Sequence, residues 1–282
     1  MPARKRFTIG MIRILRNLGP LPRRRHIPRQ AQPDAIRLEY YKALLPFVHI
    51  ATNAMEDAKV EILHSLVLER QRQGKYDDFA EIAAKEFVAR AKREAERALE
   101  QRDLDAVVER FAHRTSEFQK QQFTRQVTAA LSVPLSAIET PVVEKLGAFT
   151  KENVALIKSV HERYFDRIQA DVLEAFSKGT HPSDLAEMFE ERDGMAERDA
   201  RRIARDQIGK LNGQLNEERQ QAIGITSYIW RTANDSRVRD EHAEREGKEY
   251  AWSDPPEDGN PGEPVCCRCF AEPNFEPILD EL

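Results

Sequence analysis

Residues able to bind a metal or move a proton concentrate in one short part of this sequence. Asp235, Arg237, Arg239 and His242 come first, and Cys266, Cys267 and Cys269 follow a loop holding Pro255, Pro256, Gly259, Pro261 and Gly262. Cys266 and Cys269 have the C-x2-C spacing common in zinc sites, while Cys267 and Cys269 form an alternative C-x-C pair. A structural zinc takes four ligands, and His242, two cysteines and Asp235 would supply them if the loop folds back. The competing reading makes the cysteines small buried thiols and His242 a hydrogen-bonding residue, because no second C-x2-C or paired His completes the set. A hydrolytic reading places Asp235 and His242 on a water and Arg237 or Arg239 on a phosphate, in nuclease-like chemistry. The sequence has no nucleophile motif, phosphate-cradling glycine loop or H-E-x-x-H to support it. The chain is therefore read as non-enzymatic, with the nuclease as the alternative.

The elements that would position these residues follow from periodicity. Ile225 to Thr232 alternates β-branched and aromatic residues and predicts a strand. Asn234-Asp235-Ser236 predicts a turn, with Asp235 capping a short helix that carries Arg237, Arg239 and His242. Glu249 to Trp252 predicts a second short strand. Upstream, apolar residues recur at three- and four-residue spacing. Helix is predicted from Asp34, kinked or broken near Leu45 by Pro46, and again over Val60, Leu63, Leu66 and Val67. Phe79, Ile82, Ala83, Phe87, Ala91, Ala95 and Ala98 mark a third helix, and Leu104 to Leu131 a fourth. Pro134 to Phe149 reads as a connector, with Thr150 capping a helix that runs to about Ser177. A short helix capped by Ser183 and a longer one from Ala196 to Ala222 complete the series, ended by Gly224. The expected fold is mainly α, a long-helix body followed by a small C-terminal α+β module. It divides into an arm (1–33), a helical region (34–149), further long helices (150–224) and the module with its acidic tail (225–282).

Composition fits this reading. Charged residues make up 33% and aromatics 7%, with 12 glycines in 282 residues, a balance suited to long amphipathic helices. The net charge of −4 conceals an asymmetry. The arm carries Arg4, Lys5, Arg6, Arg13, Arg16, Arg23, Arg24, Arg25 and Arg29 and no acid, which leaves the rest strongly acidic. Each arginine could neutralise a phosphate and release a counterion, so the arm is a candidate for binding double-stranded DNA. The alternative is a solvated tail or one that packs on an acidic partner. Three clustered cysteines make no disulfide framework and point to a reducing compartment. The apolar run from Phe7 to Leu18 is interrupted by Arg13 and Arg16, which excludes a secretory signal. No uninterrupted apolar run reaches membrane-spanning length, so no membrane partner is expected.

The stretch also resembles the head-morphogenesis family of tailed bacteriophages, the minor head proteins typified by the phage Mu protein F. The residues that carry the resemblance are Tyr228, Trp230 and Thr232, then Asp235, Arg237, Arg239, His242 and Gly247. Pro261-Gly262 and Cys267-Arg268-Cys269 continue it, while Glu152-Asn153-Val154 and Ile203-Ala204-Arg205 precede it. Two departures are Cys266, an additional cysteine, and Asp206-Gln207, where the family often has Thr-Glu. The resemblance covers roughly residues 150–270. It implies a virion protein of few copies, present in host cytoplasm during assembly and associated with the portal vertex. Portal protein and capsid or scaffolding proteins would be its partners, and packaged DNA a contact.

Overall fold

A computed structural model describes residues 26–71, 78–131 and 142–277. Of the nine basic arm residues only Arg29 lies within that range. Five long helices come first: α1 (Asp34–Gln71), α2 (Asp78–Glu100), α3 (Leu104–Leu131), α4 (Val143–Lys178) and α5 (Pro182–Ala222). Strand β1 (Ser227–Arg231), the one-turn helix α6 (Asp240–Ala243), β2 (Glu249–Ala251) and β3 (Phe270–Pro273) follow. The fold is thus mainly helical with a small C-terminal α+β module, as the periodicity predicts, and the sheet of that module has three antiparallel strands where two were expected. No helix among the described residues is long and apolar enough to cross a membrane.

Several predicted boundaries move. Helix α1 runs unbroken through Pro46. A mid-helix proline costs about 3 kcal/mol, but Leu44, Phe47, Val48 and Ala51 are buried around it, each large side chain returning about 1.5–3 kcal/mol. On the same helix Val60 and Val67 face outward while Ile62 and Leu66 are buried, and Ile82 of α2 is exposed. Helix α4 begins at Val143, inside the predicted connector. Thr150 is therefore an interior residue, its hydroxyl donating to the Leu146 carbonyl at 3.0 Å rather than capping. The two helices expected between Ser183 and Ala222 are one. Pro182 occupies its first position, where a missing amide hydrogen is harmless, and His181 Nδ1 accepts the Ser183 amide at 3.3 Å. Gly224 ends the helix with φ +89°, and the Ile225 amide returns to the Gln220 carbonyl.

Two compact units interleave along the chain, and their boundaries fall inside the helices. One gathers Leu38–Val108 and Lys151–Ala204. Its core holds Tyr40, Leu44, Met55, Ile62, Ile157, Phe165 and Phe189. Buried hydroxyls in it are paired: the Tyr40 hydroxyl donates to Asn153 at 3.0 Å, and Tyr164 donates to Asp193 at 2.7 Å. Arg192 grips both oxygens of Asp171, at 2.7 and 3.0 Å.

The other unit combines the described parts of Met1–Arg37, Glu109–Thr150 and Arg205–Leu282. Its sheet has the order β2-β1-β3. Trp230 lies opposite Ala271, and Tyr228 opposite Tyr250 on one side and Pro273 on the other. Alternation sends Tyr228 and Trp230 to one face, where they pack with Trp252, Cys267, Cys269 and Ala271. Beside it Phe123, Val127, Leu131, Ile223, Ile225 and Phe275 form an apolar cluster. The outer edge of β3 is covered by α5, because Asn216 and Gln220 both donate to the Ala271 carbonyl, at 2.7 and 2.9 Å. That removes an open strand edge. Arg219, buried and with its pKa lowered by burial to about 10, donates to Ser116 and Gln119 and ties α3 into the same network.

Candidate functional site

The site grows from β1. Trp230, fully buried on the strand, exchanges backbone hydrogen bonds with the chain after α6, its amide reaching the Lys248 carbonyl and its carbonyl accepting from Gly247. Gly247 needs φ +77° to make this return, a region open to glycine. The connection puts α6 beside the strand, so the His242 ring meets the Trp230 ring edge-on with centroids 5.2 Å apart. The Arg245 guanidinium stacks on the same indole at 5.0 Å.

His242 is fixed from both ends. Its Nε2 lies 2.8 Å from Asp258 Oδ2, and Asp258 Oδ1 accepts from Arg245 at 2.5 Å. A carboxylate at Nε2 holds the proton there and leaves the Nδ1 lone pair facing the other way. On that side are two sulfurs, Cys267 Sγ at 3.7 Å and Cys269 Sγ at 3.4 Å. All three side chains are buried, at 2%, 6% and 6% exposure. The Cys269 backbone amide also donates to Cys267 Sγ at 3.4 Å. A hydrogen bond from the Cys269 thiol, helped by this amide, pulls the Cys267 thiol down to about 6 and outweighs the opposing effect of burial. Cys269, which gives its hydrogen to Cys267 and is itself buried, is pushed up.

The other residues singled out by sequence fall around this cluster rather than in it. Asp235 accepts the Arg237 amide at 3.1 Å in a turn and is gripped by the Arg268 guanidinium. It caps no helix, since Arg239 precedes α6 and no side chain caps it. Arg237 stays exposed beside Asp235, and Arg239 donates to the Val265 carbonyl at 2.7 Å. Cys266 adopts φ +56° and its amide donates to Asp206 Oδ1 at 2.6 Å. Asp206, at the position where the resemblance notes a departure, therefore shapes the cysteine turn. Thr232 donates to Glu246 through both amide and hydroxyl, at 2.6 and 2.7 Å. Arg29 donates to the Thr232 carbonyl and stacks on Phe270 at 5.6 Å. It is occupied within the fold, and the remaining basic arm residues lie outside the described residues.

Sequence reasoning overlooked Asp258, Asn260 and a pair of glycines. Asn260 accepts the buried Tyr228 hydroxyl at 2.8 Å and anchors the Pro-rich loop. Gly209 and Gly213, four apart on α5, let that loop lie on the helix: a Cβ on Gly213 would stand 2.7 Å from the Pro261 carbonyl. Nothing distinguishes Asp258 among 48 acidic residues, but the G-x3-G spacing was a legible sign of close backbone approach. Strand β3 is not among the strands the periodicity predicts, and its Glu272 pairs with Arg231 at 2.8 Å. In the other unit, a cleft of about 360 Å3 is lined by Lys92, Glu96, Arg102, Lys158, His161 and Glu162 among others. Its charges are mixed, and none of the motif residues lines it.

Residues 166–272 match the family described as Phage Mu protein F like protein. The match supports the phage Mu protein F-like family and spans α5, the sheet up to Glu272 and the His/Cys cluster. A protein of Haemophilus influenzae, described as an uncharacterized protein, is 38% identical over 133 residues, 47% of this chain. The aligned stretch is 30% of that relative, so the chain spans under a third of its length. No solved structure matches.

Proposed function

We propose that this chain, carrying a phage Mu F-like region, is a minor head protein of a tailed bacteriophage. It acts in head morphogenesis at the portal vertex, against portal protein and capsid or scaffolding proteins, and contacts packaged double-stranded DNA. The observation that carries the reading is the match over residues 166–272. The arrangement of the motif residues agrees with an assembly role. Asp235, Arg239, His242 and Arg268 are spent on holding a turn, a loop and a sheet together.

Isolation of procapsids and mature virions tests it. The chain should be found in both by mass spectrometry, in few copies relative to the major capsid protein, and should cross-link to the portal protein. Its absence from both particles overturns the reading.

The nuclease alternative needs Asp235 and His242 to share a water, yet each is committed to a different partner, Arg268 for one and Asp258 for the other. Double-stranded DNA incubated with the full chain and Mg2+ or Mn2+ should stay intact. Cleavage that disappears in His242→Asn, with thermal stability unchanged, would favour the enzyme.

A further inference from the structure

We infer that His242 Nδ1, Cys267 Sγ and Cys269 Sγ hold one thiophilic divalent cation of the zinc class, independently of the head-assembly role. The three donor atoms lie within 4.8 Å of one another and all three side chains are buried. Tetrahedral zinc bonds of about 2.3 Å to sulfur and about 2.0 Å to nitrogen place nitrogen and sulfur about 3.5 Å apart. The two observed separations are 3.7 and 3.4 Å. Both sulfurs converge on one nitrogen, whose partner Nε2 is bound by Asp258. That is the carboxylate–imidazole–metal arrangement that orients a ligating histidine.

Two further observations favour a cation over a pair of packed thiols or a nucleophile. The buried indole N–H of Trp230 is offered to the Cys269 sulfur. A thiolate bound to a cation gives that N–H an electron-rich neighbour that a neutral thiol supplies poorly. A thiol nucleophile would need one sulfur on the imidazole and an open approach for substrate. Here two buried sulfurs share it. Soft sulfur donors with one imidazole select zinc-like ions over calcium or magnesium.

The ligand set leaves out two residues that spacing alone would include. Cys266 lies outside the group of three, its amide held by Asp206. Asp235 is committed to Arg268 and Arg237. Among the described residues no fourth His, Cys or carboxylate joins the group. The ion would tie α6, the Pro-rich loop and the start of β3 to one point. Release of the ion should loosen the module as a whole.

The test uses the full chain purified under reducing conditions and reconstituted with zinc. Elemental analysis should give one zinc per chain, and cobalt substitution should produce thiolate-to-metal charge-transfer absorption. Cys267→Ser and Cys269→Ser should lose the metal, whereas Cys266→Ser and Asp235→Asn should retain it. Asp258→Asn should weaken affinity by roughly 10- to 100-fold. The wild-type chain gives a second readout that does not require a variant to fold. A thiol reagent should modify Cys266 first, and a chelator should then speed modification of the other two at least about tenfold, by removing the ligated state. No zinc above background after reconstitution, retention of zinc by Cys267→Ser, or thiol reactivity unmoved by chelation would each overturn the assignment.

Discussion

Glu246 shows how much a single side chain can do where the chain leaves a strand. One oxygen takes both hydrogens offered by Thr232, and the other accepts from Arg231 at 3.4 Å. Burial pushes its pKa up, but the hydrogen bonds from Thr232 and Arg231 outweigh that and hold it below the ordinary value of 4.5. The sign follows from linkage. The carboxylate contributes stability that is intact above 4.5 and is lost as pH falls through the lower folded value. Glu246→Gln should therefore cost about 1 kcal/mol near neutrality, after discounting for partial exposure. It should also flatten the acid limb of the stability curve, which urea titrations between neutral and acid pH would show. An unchanged acid limb would mean that the carboxylate is not the group being titrated. At this scale the sequence was informative about residue types and poor about partners. His242, Cys267 and Cys269 stood out because His and Cys are scarce. Glu246 and Asp258 did not, because what marks a carboxylate is the donor that folding brings to it.

At the level of elements, α5 explains both what could be read and what could not. Its apolar residues Ile203, Ile208, Leu211 and Leu215 keep helical spacing and are buried. Gly194 and the charged run around it look like a break, yet a glycine inside a helix costs only about 1 kcal/mol, and 41 continuous residues absorb it. The same reasoning separates the helical glycines from one another. Gly147 of α4 is exposed with nothing within 4 Å of a built Cβ. Gly147→Ala should accordingly stabilise by about 0.5–1 kcal/mol through helix propensity alone. Gly213→Ala gains the same propensity but drives a Cβ to 2.7 Å from the Pro261 carbonyl, with Gly262 Cα behind it at 3.4 Å. Backbone atoms yield poorly, so a net loss of about 1–3 kcal/mol is expected. Thermal unfolding of the two variants should move in opposite directions. If both rise, the Pro-Gly loop does not rest on α5 as described.

Across the whole molecule, the helical fold was legible because burial repeats every three to four residues over long spans. The arrangement into interleaved units was not, because nothing local records which distant segments of a helical chain share a core. Charge is the property at this scale that sequence states directly. The nine bases of residues 1–33 lie on a chain whose remaining charged residues are mostly acidic. If that arm contacts phosphates, replacing Arg23, Arg24 and Arg25 with Gln should lower the slope of log K against log salt by roughly 2.7, at about 0.9 per phosphate contact on duplex DNA. Arg29 should behave differently, since it donates to the Thr232 carbonyl and lies over Phe270. Arg29→Met should leave that slope nearly unchanged and instead lower thermal stability. DNA titrations of both variants across a salt series separate a phosphate-binding arginine from one that fastens the arm to the sheet. A slope that falls for Arg29→Met and not for the triple variant would reverse the two roles.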